Sequence, residues 1–309
     1  KDVTGFSGGV GTSFGSVLFN SLIIPSAAVL GVLSKSKKSS VVVSRKIIVR
    51  DGLWLLLVEF VLIYFIQQGV ISWVESLVLI VLYGLYVLYL FKTMKGGHDI
   101  NYEEPFTDKD RVSFLSAFMI LDLKRMIIGN QKLNTKTAWL VFVISSLIIG
   151  FVCYFLVLAC EWLGSETYTV YGFGELQGLG IPLLFVAIVF AAIGSSFPDT
   201  IISYKDAQKG NYDDAISNAY GSNIFNLCIA LGVPLFLFTF LYGPIELTQE
   251  IVSLITNLSL WFFGLTAFSI FLYTRLGGVT RKQALILIAA YVIFILFIFW
   301  KAYNTAFVV

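Results

Sequence analysis

The 309-residue chain is predicted to be an all-α, polytopic membrane protein built on inverted repeats, and three observations carry that prediction. Its composition is 58% apolar and 13% charged, with a mean hydropathy of +0.86, where soluble domains carry about 25% charged residues. Its apolar runs are long and continuous rather than alternating, which indicates the helical kind of membrane protein. A six-residue motif also occurs twice, at positions that place its copies in spans of opposite direction. The net charge of +2 decides nothing by itself, because the informative quantity is where the charges sit.

Eight spans are predicted, each near the ~20 residues that a bilayer core requires: 10–33, 47–67, 71–91, 138–163, 180–204, 215–241, 247–274 and 283–303. The linkers 34–46, 92–137, 205–214 and 275–282, with Arg50, hold 19 of the 21 lysines and arginines. The intervening linkers 68–70, 164–179 and 242–246 hold none, and carry Glu166, Glu175 and Glu246. By the positive-inside rule the first set is cytoplasmic, with Lys1 and Lys301 left on the outer side. The chain divides at the longest linker into a first half (1–91), a cytoplasmic loop (92–137) and a second half (138–309). Within the loop, Lys95–Asp110 reads as a linker, and Arg111–Ile128 as an amphipathic helix on the membrane surface.

Cys153, Cys160 and Cys228 all fall in apolar runs, as inert buried thiols do, and His98 is the sole histidine. A histidine metal site or proton relay inside the membrane is therefore excluded. No nucleophile–base set or cofactor motif appears, so an enzyme is not expected. Glu59, near the middle of span two, has two readings: a functional acid, or a contact with a neighbouring helix or water.

The chemistry concentrates between Gly194 and Pro234. The stretch runs Gly194-Ser195-Ser196-Phe197-Pro198-Asp199, then Ser203, Asp206, Gly210, Asp213, Asp214, Ser217-Asn218 and Gly221-Ser222-Asn223-Ile224-Phe225-Asn226. An ionisable residue between two membrane-grade runs is expensive, and marks a functional site. Gly194 and Pro198 are positioned to break a helix and free carbonyls toward a cavity. Small residues line many helix contacts, but an acid with Asn223 and Asn226 goes further, to a cation site of a secondary transporter. The motif recurs as Gly15-Ser16-Val17-Leu18-Phe19-Asn20, four of six positions matching, and each copy is followed by a proline, Pro25 or Pro234.

These residues resemble the second α-repeat of the sodium/calcium exchanger superfamily, closest to its potassium-dependent branch. That repeat has the form Ser-x-Pro-Asp, Ser, Gly-x-x-Asp, Ser-Asn-x-x-Gly-Ser-Asn-x-Phe-Asp, met here by Ser196-Phe197-Pro198-Asp199, Ser203, Gly210, Asp213, Ser217-Asn218, Gly221-Ser222-Asn223 and Phe225. Arg50-Asp51, Trp73 with Glu75, and Leu82-Tyr83 match the same branch. The resemblance implies ten transmembrane helices, of which this chain shows the third to the tenth, with the first two expected before Lys1. It implies that Asp199 is a calcium ligand, with Ser195, Ser196 and the Ala192 carbonyl nearby. Ser222, Asn223 and Asn226, together with Ser16 and Asn20 from the first repeat, complete the calcium and sodium positions. Two departures stand out: Asn226 occupies the place of an acid, and Ser7 stands where Asp213 suggests another.

The implied function is an antiporter that exchanges Ca2+ for Na+ by alternating access, independent of K+, in the plasma membrane or an organelle membrane. Its transported ions are Ca2+ and Na+, with K+ set aside because of Asn226. The alternatives are a transport-inactive structural or regulatory subunit and a cation/proton exchanger of the same superfamily. Membrane lipids are the expected surroundings, a membrane-protein partner or larger complex is compatible, and nucleic acid is not expected. Asp199 alone does not neutralise a divalent ion. Asp199 precedes Asn226 by 27 positions, and the same interval back from Asn20 falls about seven residues before Lys1. A partner acid is expected there, in a Gly-x-Ser-x-Pro-acid context.

Overall fold

The computed structural model describes residues 3–35, 39–93, 123–129, 134–275 and 278–306. The chain forms two compact units, one of Lys1–Lys92 with Cys160–Val309 and one of Thr93–Ala159. In the smaller unit the described elements are α5 (Leu123–Ile128) and most of α6 (Thr135–Gly164), with Asn134 accepting the Thr137 N–H at 2.9 Å at the start of α6. Of the expected surface helix only Leu123–Ile128 is described as helix; Lys95–Asp110 and Arg111–Asp122 lie outside the described residues.

The larger unit opens with one long helix in three parts: α1 (Val3–Leu18), a π segment π1 (Phe19–Ile23) and α2 (Ile24–Lys35). Then come α3 (Arg45–Gln67) and α4 (Trp73–Thr93). After α6 the chain resumes as α7 (Leu183–Val186), π2 (Ala187–Ala191) and α8 (Ala192–Gln208). It continues as α9 (Tyr212–Phe225), π3 (Asn226–Ala230) and α10 (Gly232–Tyr242), and ends with α11 (Gln249–Tyr273) and α12 (Arg281–Ala306). Every predicted span is helical. Seven of these helices, each joined through its π segment, are long and apolar enough to cross a membrane, so the protein is a multi-pass membrane protein. The remaining one, α3, has the length but carries Arg50, Asp51 and Glu59 within a few turns.

Two of the π segments have a local cause. Pro25 and Pro234 stand four residues after Ser21 and Ala230, which lie in π1 and π3. A proline has no N–H for the carbonyl four residues back, so the hydrogen-bond pattern widens by one residue. The widened bonds appear as Ile24 N–H to Phe19 O and Leu231 N–H to Asn226 O at 3.0 Å. The expected break at Gly194 and Pro198 does not occur: α8 runs through both. Hydroxyls beside Pro198 engage nearby carbonyls, Ser195 to Ala192 O at 3.1 Å and Thr200 to Ser196 O at 3.0 Å, as membrane helices containing proline permit.

The α1–π1–α2 helix is the most buried membrane helix. Phe14 stacks on Phe262 of α11 with ring centroids 4.8 Å apart, and Phe262 meets Phe294 of α12 edge-on at 5.3 Å. Short ladders join linkers that charge assigns to one side. β1 (Ser40–Val41) pairs with β6 (Val279–Thr280), and Ser44 N–H donates to Asp213 at 2.6 Å. On the acidic side β2 (Val70–Ile71) pairs with β5 (Ile245–Glu246), and β3 (Thr167–Val170) folds back on β4 (Gly174–Gln177). The helices α3 and α11 run antiparallel between the first two ladders, with Gly52 against Ile270 and Glu59 against Thr266. One cysteine departs from expectation: Cys160 and Cys228 are buried, but Cys153 is exposed on the apolar face of α6; none is in a disulfide.

Asp51 is fully buried and fully provided for. Arg50 donates to it twice, from Nε at 2.7 Å and Nη2 at 2.9 Å, Ser217 of α9 donates at 2.8 Å and Tyr86 of α4 at 3.2 Å. Removing one partner leaves an uncompensated buried charge. Arg50→Ala is therefore expected to destabilise the fold by about 3–5 kcal/mol, read as a lowered melting temperature in detergent. Asp51→Asn, which leaves the guanidinium in place near solvent, should cost less.

Candidate functional site: two tiers across three helices

The α1–π1 helix lies parallel to α7–π2–α8 and antiparallel to α9–π3. The parallel register is seen in Gly8 against Leu183, Gly11 against Leu184, Gly15 against Ile188, and Asn20 against Asp199. The antiparallel one is seen in Gly9 against Leu231, Ser16 against Asn226, and Ser21 against Asn223. The two copies of the repeated motif thus face each other in opposite directions, as the repeat predicts.

Glycine is what brings the first two helices so close. A Cβ on Gly15 would lie 2.2 Å from the Ile188 carbonyl oxygen and 2.6 Å from the Ala192 Cβ, and one on Gly11 would lie 2.7 Å from the Leu184 carbonyl oxygen. Only a residue without a side chain permits that backbone approach.

Each helix contributes two polar residues one turn apart: Ser16 and Asn20, Ser196 and Asp199, Ser222 and Asn226. Residues three or four apart share a helix face, so the six make two tiers. In one, Ser16 Oγ lies 2.6 Å from Ser196 Oγ and accepts Asn226 Nδ2 at 3.2 Å. In the other, the Asp199 carboxylate accepts Asn20 Nδ2 at 3.4 Å, with the Ser222 hydroxyl beside it. Ser16, Asn20 and Ser196 are buried, while Asp199 is half-buried and its neighbours Gly194, Ser195 and Pro198 are exposed.

The remaining sequence candidates sit around the tiers. Asn223 is buried and donates to Val17 O at 3.1 Å and Ser21 Oγ at 2.9 Å, fastening α9 to the first helix. Ser195 turns its hydroxyl back onto the Ala192 carbonyl, so neither joins the hydrogen-bonded set. Asp213 is engaged with the Ser44 backbone and stands apart from it. Ser203 and Asn218 pair with each other at 3.0 Å. Ser21 is a participant that sequence reasoning passed over, although it directly follows Asn20.

Two carbonyl oxygens give the cluster its chemical character. Asn20 Oδ1 and Asn223 Oδ1 are buried without a hydrogen-bond partner. Buried polar atoms are nearly always satisfied, and an unsatisfied acceptor beside a carboxylate suits a cation. Hydroxyl, amide and carboxylate oxygens are the donor set of hard ions. Among the described residues no three acidic, histidine or cysteine side chains come together, and Asp199 is the one carboxylate in the tiers.

The family model for sodium/calcium exchanger protein matches residues 5–92 and 137–300. A probable sodium/potassium/calcium exchanger of Drosophila melanogaster, CG1090, is 31% identical over 156 residues, covering 50% of this chain and 23% of that protein. Sodium/potassium/calcium exchanger 4 of Homo sapiens is 29% identical over 158 residues, covering 48% and 24%. The match spans about a quarter of the length of these curated relatives. Among solved structures, that of the H+/Ca2+ exchanger CAX superposes with a TM-score of 0.53 over 98% of this chain and 74% of that one, at 16% identity, a likeness of fold alone.

Proposed function

The chain belongs to the sodium/calcium exchanger protein family, and from that premise we propose that it carries ion-site residues of an antiporter exchanging Ca2+ for Na+ by alternating access, without a need for K+. The observation that carries the reading is the two-tier cluster, one carboxylate among amide and hydroxyl oxygens at the contact of two oppositely directed repeats. Calcium takes six to eight oxygens, and sodium accepts the same types. One cluster therefore holds either ion, and competition for Asp199 couples their movements. Asp199, Ser196, Ser222, Asn226, Ser16 and Asn20 are the proposed ligands. Asn223, Ser195 and the Ala192 carbonyl support them from the margin. One carboxylate does not neutralise a divalent ion, so a second acid is needed to complete the charge.

The test is calcium uptake by the full-length protein in proteoliposomes. Uptake driven by an outward sodium gradient, and unaffected by a proton gradient, supports the reading. Uptake driven by protons alone would replace it with the cation/proton exchanger, and no uptake under either gradient with the transport-inactive subunit.

Potassium independence rests on Asn226. Its amide offers an oxygen but no charge, and its Nδ2 is turned to Ser16. A large monovalent ion beside calcium needs that charge more than sodium does. Native flux is expected to be the same with and without K+, and Asn226→Asp to introduce a dependence. A strict K+ requirement in the native protein would rule this out.

A further inference from the structure

Glu59 lies midway along α3 with its side chain fully buried. Its Oε1 accepts a hydrogen bond from Thr266 Oγ1 of α11 at 2.9 Å, and its Oε2 has no partner. The contrast with Asp51, two turns earlier on the same helix, is informative. Both acids are sealed from solvent, yet Asp51 receives four hydrogen bonds, two of them from a guanidinium, while Glu59 receives a single hydroxyl. α3 thus contains one site built for an anion and one that is not.

The elements packed against Glu59 bring no positive charge to it. From α11 come Thr266 and Ser269, and from α9 comes Tyr220, whose hydroxyl is 3.0 Å from Ser269 Oγ. π3 contributes only the Cys228 thiol as a titratable group. On α3 itself Arg50 is committed to Asp51. The basic residue beyond the end of α11, Arg275, is nine positions from Thr266, about 14 Å along a helix at 1.5 Å per residue, and Glu250 in the first turn of α11 is an acid.

A carboxylate with one donor in such a place is strongly disfavoured, and a buried acid in that position neutralises by taking a proton. We propose that Glu59 is a proton-binding site within the membrane, held as the neutral acid with its proton donated to Thr266 Oγ1 and separate from the Asp199 cluster. In that form the bond to Thr266 is kept with its direction reversed. The Thr266 hydroxyl then donates to a carbonyl of its own helix, as threonine in helices does. The oxygen without a partner becomes a neutral carbonyl, whose under-satisfaction is tolerated better than that of an anion. The inference does not depend on the exchange reading, since it holds whether or not the protein moves calcium.

The experiment is infrared difference spectroscopy of the full-length protein in liposomes at neutral pH, native against Glu59→Gln. A neutral carboxylic-acid C=O band is expected in the native protein, shifted by deuteration, absent in Glu59→Gln and retained in Asp199→Asn. Dicyclohexylcarbodiimide, an apolar reagent that adds to protonated carboxyls, is expected to label the Glu59 peptide in the native protein. Glutamine mimics the neutral acid, so the variant should melt within a degree or two of the native protein. Should it fail to fold, Glu59→Asp takes its place, and a band that moves in frequency supports the proposal. A carboxylate band assigned to Glu59, or a neutral-acid band unchanged by either substitution, would overturn it.

Discussion

Calcium flux at background is the expected result of Asp199→Asn. The substitution keeps the size of the side chain and one oxygen, so the hydrogen bond from Asn20 has an acceptor left and α8 has no reason to unfold. What it removes is the one negative charge in the tiers. Leaving a buried charge without its partner costs about 3–5 kcal/mol, which at 1.4 kcal/mol per decade is a loss of roughly 10²- to 4 × 10³-fold in affinity. Sodium-gradient-driven uptake should disappear while expression, gel-filtration profile and melting temperature stay near native. Uptake at more than a tenth of the native rate would remove Asp199 from the ion site.

The second large effect is expected at a residue with no side chain at all. Gly15→Ala places a methyl 2.2 Å from the Ile188 carbonyl oxygen and 2.6 Å from the Ala192 Cβ, and neither neighbour is the free end of a flexible chain. The helices must part. Overpacking of this kind costs about 1–3 kcal/mol, and here the separation falls directly beside Ser16 and Ser196, whose hydroxyls are 2.6 Å apart. Both melting temperature and transport should drop. Gly84→Ala is the matched control: nothing lies within 4 Å of its added Cβ, and helix propensity alone should stabilise it by up to ~1 kcal/mol. Equal behaviour of the two variants would contradict the close approach.

Much of this architecture was legible in the sequence, for physical reasons that can be named. The eight helices follow from apolar runs that no other structure can bury, and the antiparallel motif copies follow from counting crossings. The grouping of linkers by charge is matched by β1 with β6 and β2 with β5. Within the site, Asp199 and Asn226 could be named from residue type, and Ser16, Asn20, Ser196 and Ser222 through the repeat and the family resemblance it carries. Their division into tiers could not, since it depends on helix register. Pro198 misled in the other direction: a proline in a membrane helix reads as a break, yet α8 continues. The prolines that do alter the backbone, Pro25 and Pro234, act on carbonyls four residues earlier. No proline stands four residues after any residue of π2, whose position has no sequence signal. Glu59 could be noticed but not interpreted, because only the structure shows how little surrounds its carboxyl.

The ladders at the ends of α3 and α11 carry a mechanical consequence. β1 leads into α3 and β6 follows α11, while β2 follows α3 and β5 leads into α11, so the antiparallel pair is latched at both ends. Sliding one helix along the other would shear both latches together and drag Glu59 away from Thr266. The pair therefore behaves as a single strut, braced like the two rails of a ladder between its end rungs. The proposed alternating access would then have to leave this strut intact and tilt against it, with the glycine-lined seam of α1 as the surface that gives way.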